Sequence, residues 1–197
     1  MTAPPEVPRL LLRGPGGAVR VLGLLSAAVA LLLRGPVDAA LLALVLAGLV
    51  VPVAAGIGPR LDAAYGLGLL AAAWSGALDL YETVAWLDLV MHLVVTGLVA
   101  AVAHVAVARW TGAVADPGTL VGGRARAGSV AVTAALGLAL SVLWEVGEYL
   151  GHTYLDPSIH VAYRDTVGDL VMGGLGSTAA GVALVLGPRR RGSGQRA

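Results

Sequence analysis

The chain has 197 residues, 57% of them hydrophobic and only 13% charged, against roughly 25% charged in soluble domains. A soluble fold of this length could not cover so much apolar surface, and without cysteine there is neither a disulfide nor a thiolate metal site. An ordinary cytosolic enzyme, a disordered tail and a disulfide scaffold are thereby excluded, and the net charge of +1 conceals a segregation that matters more than the sum.

A membrane-crossing helix needs about 20 mainly apolar residues, and six segments qualify. The first, Val21–Leu33, is short, lying between Arg20 and Arg34, whose stems can snorkel to extend it. A signal peptide is the rival reading, and the lack of a small-x-small cleavage site after Leu33 favours a retained helix. The second span is Ala39–Gly58, with Pro52 predicting a kink. The third is Leu61–Leu80 and the fourth Val84–Ala108. Arg109–Gly128 is a polar loop in which Asp116-Pro117-Gly118 marks a turn. The fifth span is Ser129–Leu150, then comes a loop, Gly151–Arg164, that holds His152, Tyr154, Asp156 and His160, and the sixth span is Thr166–Leu186. The fold class expected is all-α: a polytopic transmembrane helix bundle, one integral membrane domain over 1–197. It comprises an N-terminal tail (1–20), the six-helix bundle (21–187) and a basic tail (188–197).

All 13 basic residues are arginines. With the N-terminus in the cytoplasm, 11 of them fall inside (Arg9, Arg13, Arg20, Arg60, Arg109, Arg124, Arg126, Arg189, Arg190, Arg191 and Arg196) and only Arg34 and Arg164 outside. The positive-inside rule then places both termini in the cytoplasm. The Arg189–Arg191 run is accounted for as an orientation signal and anionic-lipid anchor, so nucleic-acid binding is not expected. Lys, Asn and Phe, residues with AT-rich codons, are missing, which points to a GC-rich bacterial genome and hence to a bacterial inner (cytoplasmic) membrane.

The acids behave differently. Nine of the 12 gather near the outer helix ends, leaving Glu6, Asp62 and Asp116 inside. Asp88 and His92 are four apart on the fourth span, Glu145 and Glu148 three apart on the fifth, and Asp165 and Asp169 four apart on the sixth. Each spacing puts both side chains on one helical face. His92 and Asp169 lie about 6 Å inside their helix starts and Glu145 about 7.5 Å from its helix end, so three spans place a polar group at a similar depth. Five carboxylates with one nearby arginine, Arg164, must either protonate or hold a cation. Hard oxygen ligands with one imidazole suit a divalent ion, Zn, Mn, Mg or Fe. The candidate metal ligands are Asp88, His92, Glu145, Glu148, Asp165 and Asp169, with Glu148 and Glu145 as candidate catalytic bases. Each acid taken singly reads more simply as a headgroup-solvated residue. His104 reads as a hydrogen-bonded packing residue, and Gly168, Gly173, Gly174, Gly176 and Ser177 as sites of close helix approach. Tyr81, Trp86, Tyr149 and Tyr154 fit an outer aromatic belt.

The ordered set Tyr81, Asp88-x-x-x-His92, Trp144-Glu145-x-x-Glu148 and Arg164-Asp165-x-x-x-Asp169 followed by Gly173 and Gly176 resembles the YjdF-type bacterial membrane proteins and, more remotely, the VanZ-like family. The resemblance covers about residues 78–181. VanZ-like proteins tend to carry Asn four residues after the last Asp, where this chain has Gly173. The resemblance implies a small helical integral membrane protein and names no reaction. The leading functional expectation is a metal-dependent hydrolase acting on lipid-linked or envelope substrates at headgroup depth. The alternatives are a non-catalytic scaffold that binds a partner, and a transporter, which would need a polar path through the inner halves of the spans. Membrane lipids are the expected surroundings in every case.

Overall fold

The structure, a computed structural model, describes residues 11–187. The basic tail 188–197, with Arg189–Arg191, and residues 1–10, with Arg9, lie outside the described residues. The described chain is helical, in the order α1 (Gly14–Leu33), α2 (Pro36–Gly48), α3 (Val51–Ala54), α4 (Pro59–Ala77), α5 (Leu80–Thr83), α6 (Leu87–Thr111), a 3-10 turn (Pro117–Thr119), α7 (Gly123–Tyr154) and α8 (Tyr163–Leu186). No strand occurs among the described residues. Five stretches are long and apolar enough to cross a membrane: Gly14–Leu33, Pro36–Ala54, Leu87–Thr111, Gly123–Tyr154 and Tyr163–Leu186. Large apolar side chains such as Leu31, Leu32, Leu143, Val171 and Leu175 point outward, whereas Ser, Thr, Ala and Gly crowd between the helices. That is the reverse of a water-soluble fold and suits lipid surroundings.

The first span differs from the expected Val21–Leu33. α1 begins at Gly14 and runs 20 residues, so the segment 1–20 is not all tail. Arg20 does not flank the helix but lies inside it, 7% exposed, with its Nη2 donating to Asp62 Oδ1 of α4 at 2.5 Å. The helix passes through the charge because a partner on a neighbouring helix neutralises it. The second span is broken, as Pro52 predicts: α2 ends at Gly48 and α3 resumes at Val51. Proline has no N–H and its ring crowds the carbonyl four residues back, which is that of Gly48. The interrupted turn is capped from outside, Tyr65 Oη donating to the Gly48 carbonyl at 3.4 Å and Arg20 Nε to the Leu49 carbonyl at 2.8 Å. Arg109 closes the end of α3 through the Ala55 and Gly56 carbonyls, at 2.8 and 2.7 Å.

The third expected span, Leu61–Leu80, corresponds to α4, Pro59–Ala77, which is not among the five most apolar stretches. Arg60 and Asp62 in its first turn lower its mean hydropathy. It nevertheless packs against α1, α2 and α6. Its Leu70 and Tyr65 join Val19, Leu42, Val45, Leu49 and Val102 in the apolar core. α7 overruns the expected Ser129–Leu150 at both ends: its 32 residues span about 48 Å, more than the ~30 Å hydrocarbon core.

α6, α7 and α8 form a second unit, all three in mutual contact. Of the glycines expected to allow close approach, Gly176 is the one that meets the backbone of another helix, while Gly168, Gly173 and Gly174 meet side chains. A Cβ added at Gly97 would lie 2.7 Å from the Gly176 carbonyl, and one at Gly176 would run into the Leu93 carbonyl. Replacing Gly176 with alanine is therefore expected to wedge α6 from α8 and cost about 1–3 kcal/mol. Gly147→Ala, where nothing lies within 4 Å, is expected to be neutral or mildly stabilising. Thermal unfolding in detergent reads both, and equal effects would remove the close-approach argument.

Candidate metal centre

The first two turns of α6 and α8 meet at the end of the bundle opposite that of Arg109. Asp88 and His92 share one face of α6, and His92 Nε2 lies 3.6 Å from Asp88 Oδ1 and 3.9 Å from Asp169 Oδ1 of α8. One ligating atom from each of Asp88, His92 and Asp169 falls within 4.8 Å of the others. Asp169 is 2% exposed, and its Oδ1 and the His92 Nδ1 are buried without a protein hydrogen-bond partner. Buried polar atoms without protein partners call for water or an ion. Two carboxylates and an imidazole at this spacing are a donor set that fits a divalent cation.

The wider set expected from the sequence divides. Glu145 borders the triad, with His92, Asp88 and Asp165 as charged neighbours, and its Oε1 is also buried and unpartnered. Glu148 is half-buried, with Glu145, Asp88 and Asp169 around it. Neither supplies an atom to the close triad. Asp165 stands outside it, its Oδ2 3.9 Å from His160 Nε2 on the exposed loop. The reason is depth: Asp165 opens α8 at the rim, and Asp169 lies one turn further in. His152 shares the Glu145 face, as the continuing helix predicts, but its Nδ1 bonds to the Ile159 carbonyl at 2.7 Å and serves the loop. In that loop, hydrogen bonds from the Ser158 hydroxyl and N–H hold the Asp156 carboxyl below its usual range.

Similar depth from the helix ends was the expectation, and the structure replaces it with a better register. His92 is five residues from the start of α6, Asp169 six from that of α8 and Glu145 nine from the end of α7. They meet because α7 extends further than its neighbours. One turn below, a Cβ at Gly173 would lie 3.0 Å from Ser141 Oγ and 3.2 Å from Thr96 Cγ2, so the three helices share a common level.

Tyr81, read from sequence as an aromatic-belt residue, faces this site. Asp79 adopts a left-handed conformation, φ 55°, which Asp tolerates better than most residues. The turn it makes folds α5 back so that Tyr81 Oη donates to the Ala72 carbonyl at 2.9 Å. Burial pushes the Tyr81 phenol up, and the carboxylates of Asp88, Glu148 and Asp169 push it further. No spacing in the sequence announces this contact, because it depends on the Asp79 turn.

A family model described as predicted membrane protein (DUF2238) matches residues 18–190. The chain belongs to this family. DUF2238 is the YjdF-type family, and the matched range takes in every residue of the triad. No curated relative and no solved structure matches the chain. The DUF2238 assignment thus supports a multi-pass membrane protein and leaves its chemistry to be argued from the site.

Proposed function

We propose that this protein crosses the bacterial cytoplasmic membrane six times, α4 included, with the triad facing outward and the arginine-rich end in the cytoplasm. At the outer end it binds one divalent cation between Asp88, His92 and Asp169 and acts as a hydrolase on lipid-linked or envelope substrates. The observation that carries the metal is the convergence of three ligating atoms from two helices within 4.8 Å, around a carboxylate that is 2% exposed. An ionised acid at membrane depth costs roughly 2.5–3.5 kcal/mol or more unless paired, and a cation shared with Asp88 offsets that cost. α4 counts as a crossing because its Asp62 is paired with Arg20, which leaves Arg60, at its very start, as its one charge without an ion pair among the described residues. Such an ion supplies Lewis-acid activation of water. Glu148, outside the triad with Asp88 and Asp169 among its charged neighbours, then acts as the general base. The position at headgroup depth favours substrates that are themselves anchored in lipid.

Elemental analysis of the purified protein tests the metal. About one divalent ion per chain is expected after reloading and washing. Asp169→Asn and His92→Gln are expected to lose it and Glu148→Gln to retain it. Wild-type protein that holds no metal would overturn the reading.

A further inference from the structure

Beneath the triad, the seam between α6, α7 and α8 is polar or small at every level. Residues four apart form the ridges along which helices interlock. On α6 that row is Asp88, His92, Thr96, Ala100 and His104. On α7 it is Ser129, Thr133, Gly137, Ser141 and Glu145, and on α8 it is Asp165, Asp169, Gly173, Ser177 and Gly181. The rows face one another: Gly173 meets Thr96 and Ser141, Gly137 meets Ser177 and Ala100, and Gly181 meets Thr133. His104 Nδ1 lies 2.7 Å from Thr133 Oγ1. From His92 to His104 is about 18 Å along α6, more than half of the ~30 Å hydrocarbon core.

Small residues alone would be packing. Two further facts point to an occupant. Ser141, 3% exposed, and Ser129, 6% exposed, have hydroxyl oxygens that are buried and without a partner; serines in helices ordinarily bond back to a carbonyl one turn earlier. Ser177 and Thr133 do so, donating to the Gly173 and Ser129 carbonyls at 2.7 and 2.9 Å. One unpartnered hydroxyl therefore lies on each side of the middle level, and each marks a place for a water molecule. At the middle level the seam is closed: Ser177 is fully buried, and it and Ala100 both crowd the face of Gly137, where a Cβ would run into the Ser177 hydroxyl and lie 2.9 Å from Ala100 Cβ. That leaves no room for a hydrated cation. The Ser177 hydroxyl is the only polar side chain of the three at that level.

We propose that the α6–α7–α8 seam conducts protons across the membrane, by way of Ser141, Ser177, Thr133 and His104. A proton needs no open bore, only hydroxyls about one turn apart that single water molecules bridge by hydrogen bonds. Each hydroxyl that accepts a proton on its oxygen releases its own hydrogen to the next acceptor, so every group is left neutral. In neutral His104 one ring N–H faces the Ala115 carbonyl and unprotonated Nδ1 lies 2.7 Å from Thr133 Oγ1. A Thr133 hydroxyl that accepts a proton turns its own hydrogen, otherwise given to the Ser129 carbonyl, to Nδ1, and the imidazolium releases its other ring proton and is left neutral. The charged residues at this end of the seam include Asp116, which acts on His104, its partner Arg109, 3.2 Å away, and Arg126 near the start of α7, whose Nε is buried without a partner among the described residues. The proposal does not require a metal in the triad.

The test uses the full-length protein in vesicles of phosphatidylethanolamine and phosphatidylglycerol that enclose a pH-sensitive dye, with a potassium gradient and valinomycin supplying the potential. Wild-type protein is expected to acidify them at least about tenfold faster than protein-free vesicles. Ser177→Ala, a smaller side chain at the closed level, is expected to return the rate to that of protein-free vesicles without changing metal content. His104→Gln and Ser141→Ala are second and third probes, expected to slow the flux should Ser177→Ala fold poorly by circular dichroism. Wild-type vesicles no faster than protein-free ones would overturn the proposal, as would folded Ser177→Ala or His104→Gln protein conducting like the wild type.

Discussion

Asp62→Ala is expected to destabilise the fold by about 3–5 kcal/mol, the cost of leaving one member of a buried ion pair without the other. The pair is well removed from solvent, with Arg20 7% and Asp62 13% exposed. Arg20 is committed further, since its Nε holds the Leu49 carbonyl at the break before Pro52. Losing Asp62 therefore strands a guanidinium between three helices and loosens the cap on the broken span. Replacing both partners, Arg20→Met with Asp62→Leu, is expected to recover most of the loss, because paired apolar groups can substitute for a buried ion pair. Full recovery is not expected: the Leu49 carbonyl would lose its donor, which costs about 1–3 kcal/mol. Unfolding in detergent measures the set. An Asp62→Ala protein within about 0.5 kcal/mol of wild type would show that the pair is solvated.

Asp169→Asn is expected to change the sign of its effect with metal. With a divalent ion present at about 100 times its dissociation constant, wild-type protein should gain about 2.7 kcal/mol of stability, and Asp169→Asn none. In chelator the order should reverse or vanish. An ionised carboxylate so deeply buried beside Asp88 opposes folding when no cation is shared, and a neutral amide of the same shape removes that repulsion. A purely structural role for Asp169 predicts one loss, the same in both conditions. His92→Gln is expected to abolish the metal-dependent gain as well, since it removes the nitrogen that both carboxylates face. Thermal unfolding with and without chelator distinguishes the two accounts.

Much of the site could be read from spacing. Asp88 and His92, or Asp165 and Asp169, four apart near the ends of apolar runs, can only lie on one helical face. The expectation was that three such faces meet; those of α6 and α8 close on one another, whereas that of α7 only borders them. Spacing could not say which member of each pair turns inward. Asp169 reaches His92 and Asp165 does not, because one turn of α8 separates the rim from the interior. Glu145 and Glu148 border the triad without joining it, a matter of how far α7 rises beside its neighbours.

The rows of small and polar residues below the triad were equally visible as a period of four. His104 by itself reads as a packing residue, and only the pairing of α6 with α7 brings Thr133 to it. The break at Pro52 followed from the missing N–H of proline. The groups that cap it, Arg20 and Tyr65, come from other helices, and no local pattern names them.

The amino-acid sequence by itself determined that this is a helical membrane protein, where its apolar segments fall and which end carries the acids, because hydropathy and helical period are local properties of the chain. Tertiary structure alone decided that Arg20 lies within a helix opposite Asp62, that Tyr81 turns toward the acids, and that Asp88, His92 and Asp169 close on one another. Those outcomes depend on which helix faces which, set by glycine contacts such as Gly97 on Gly176 and by the register of one interlocked row against the next.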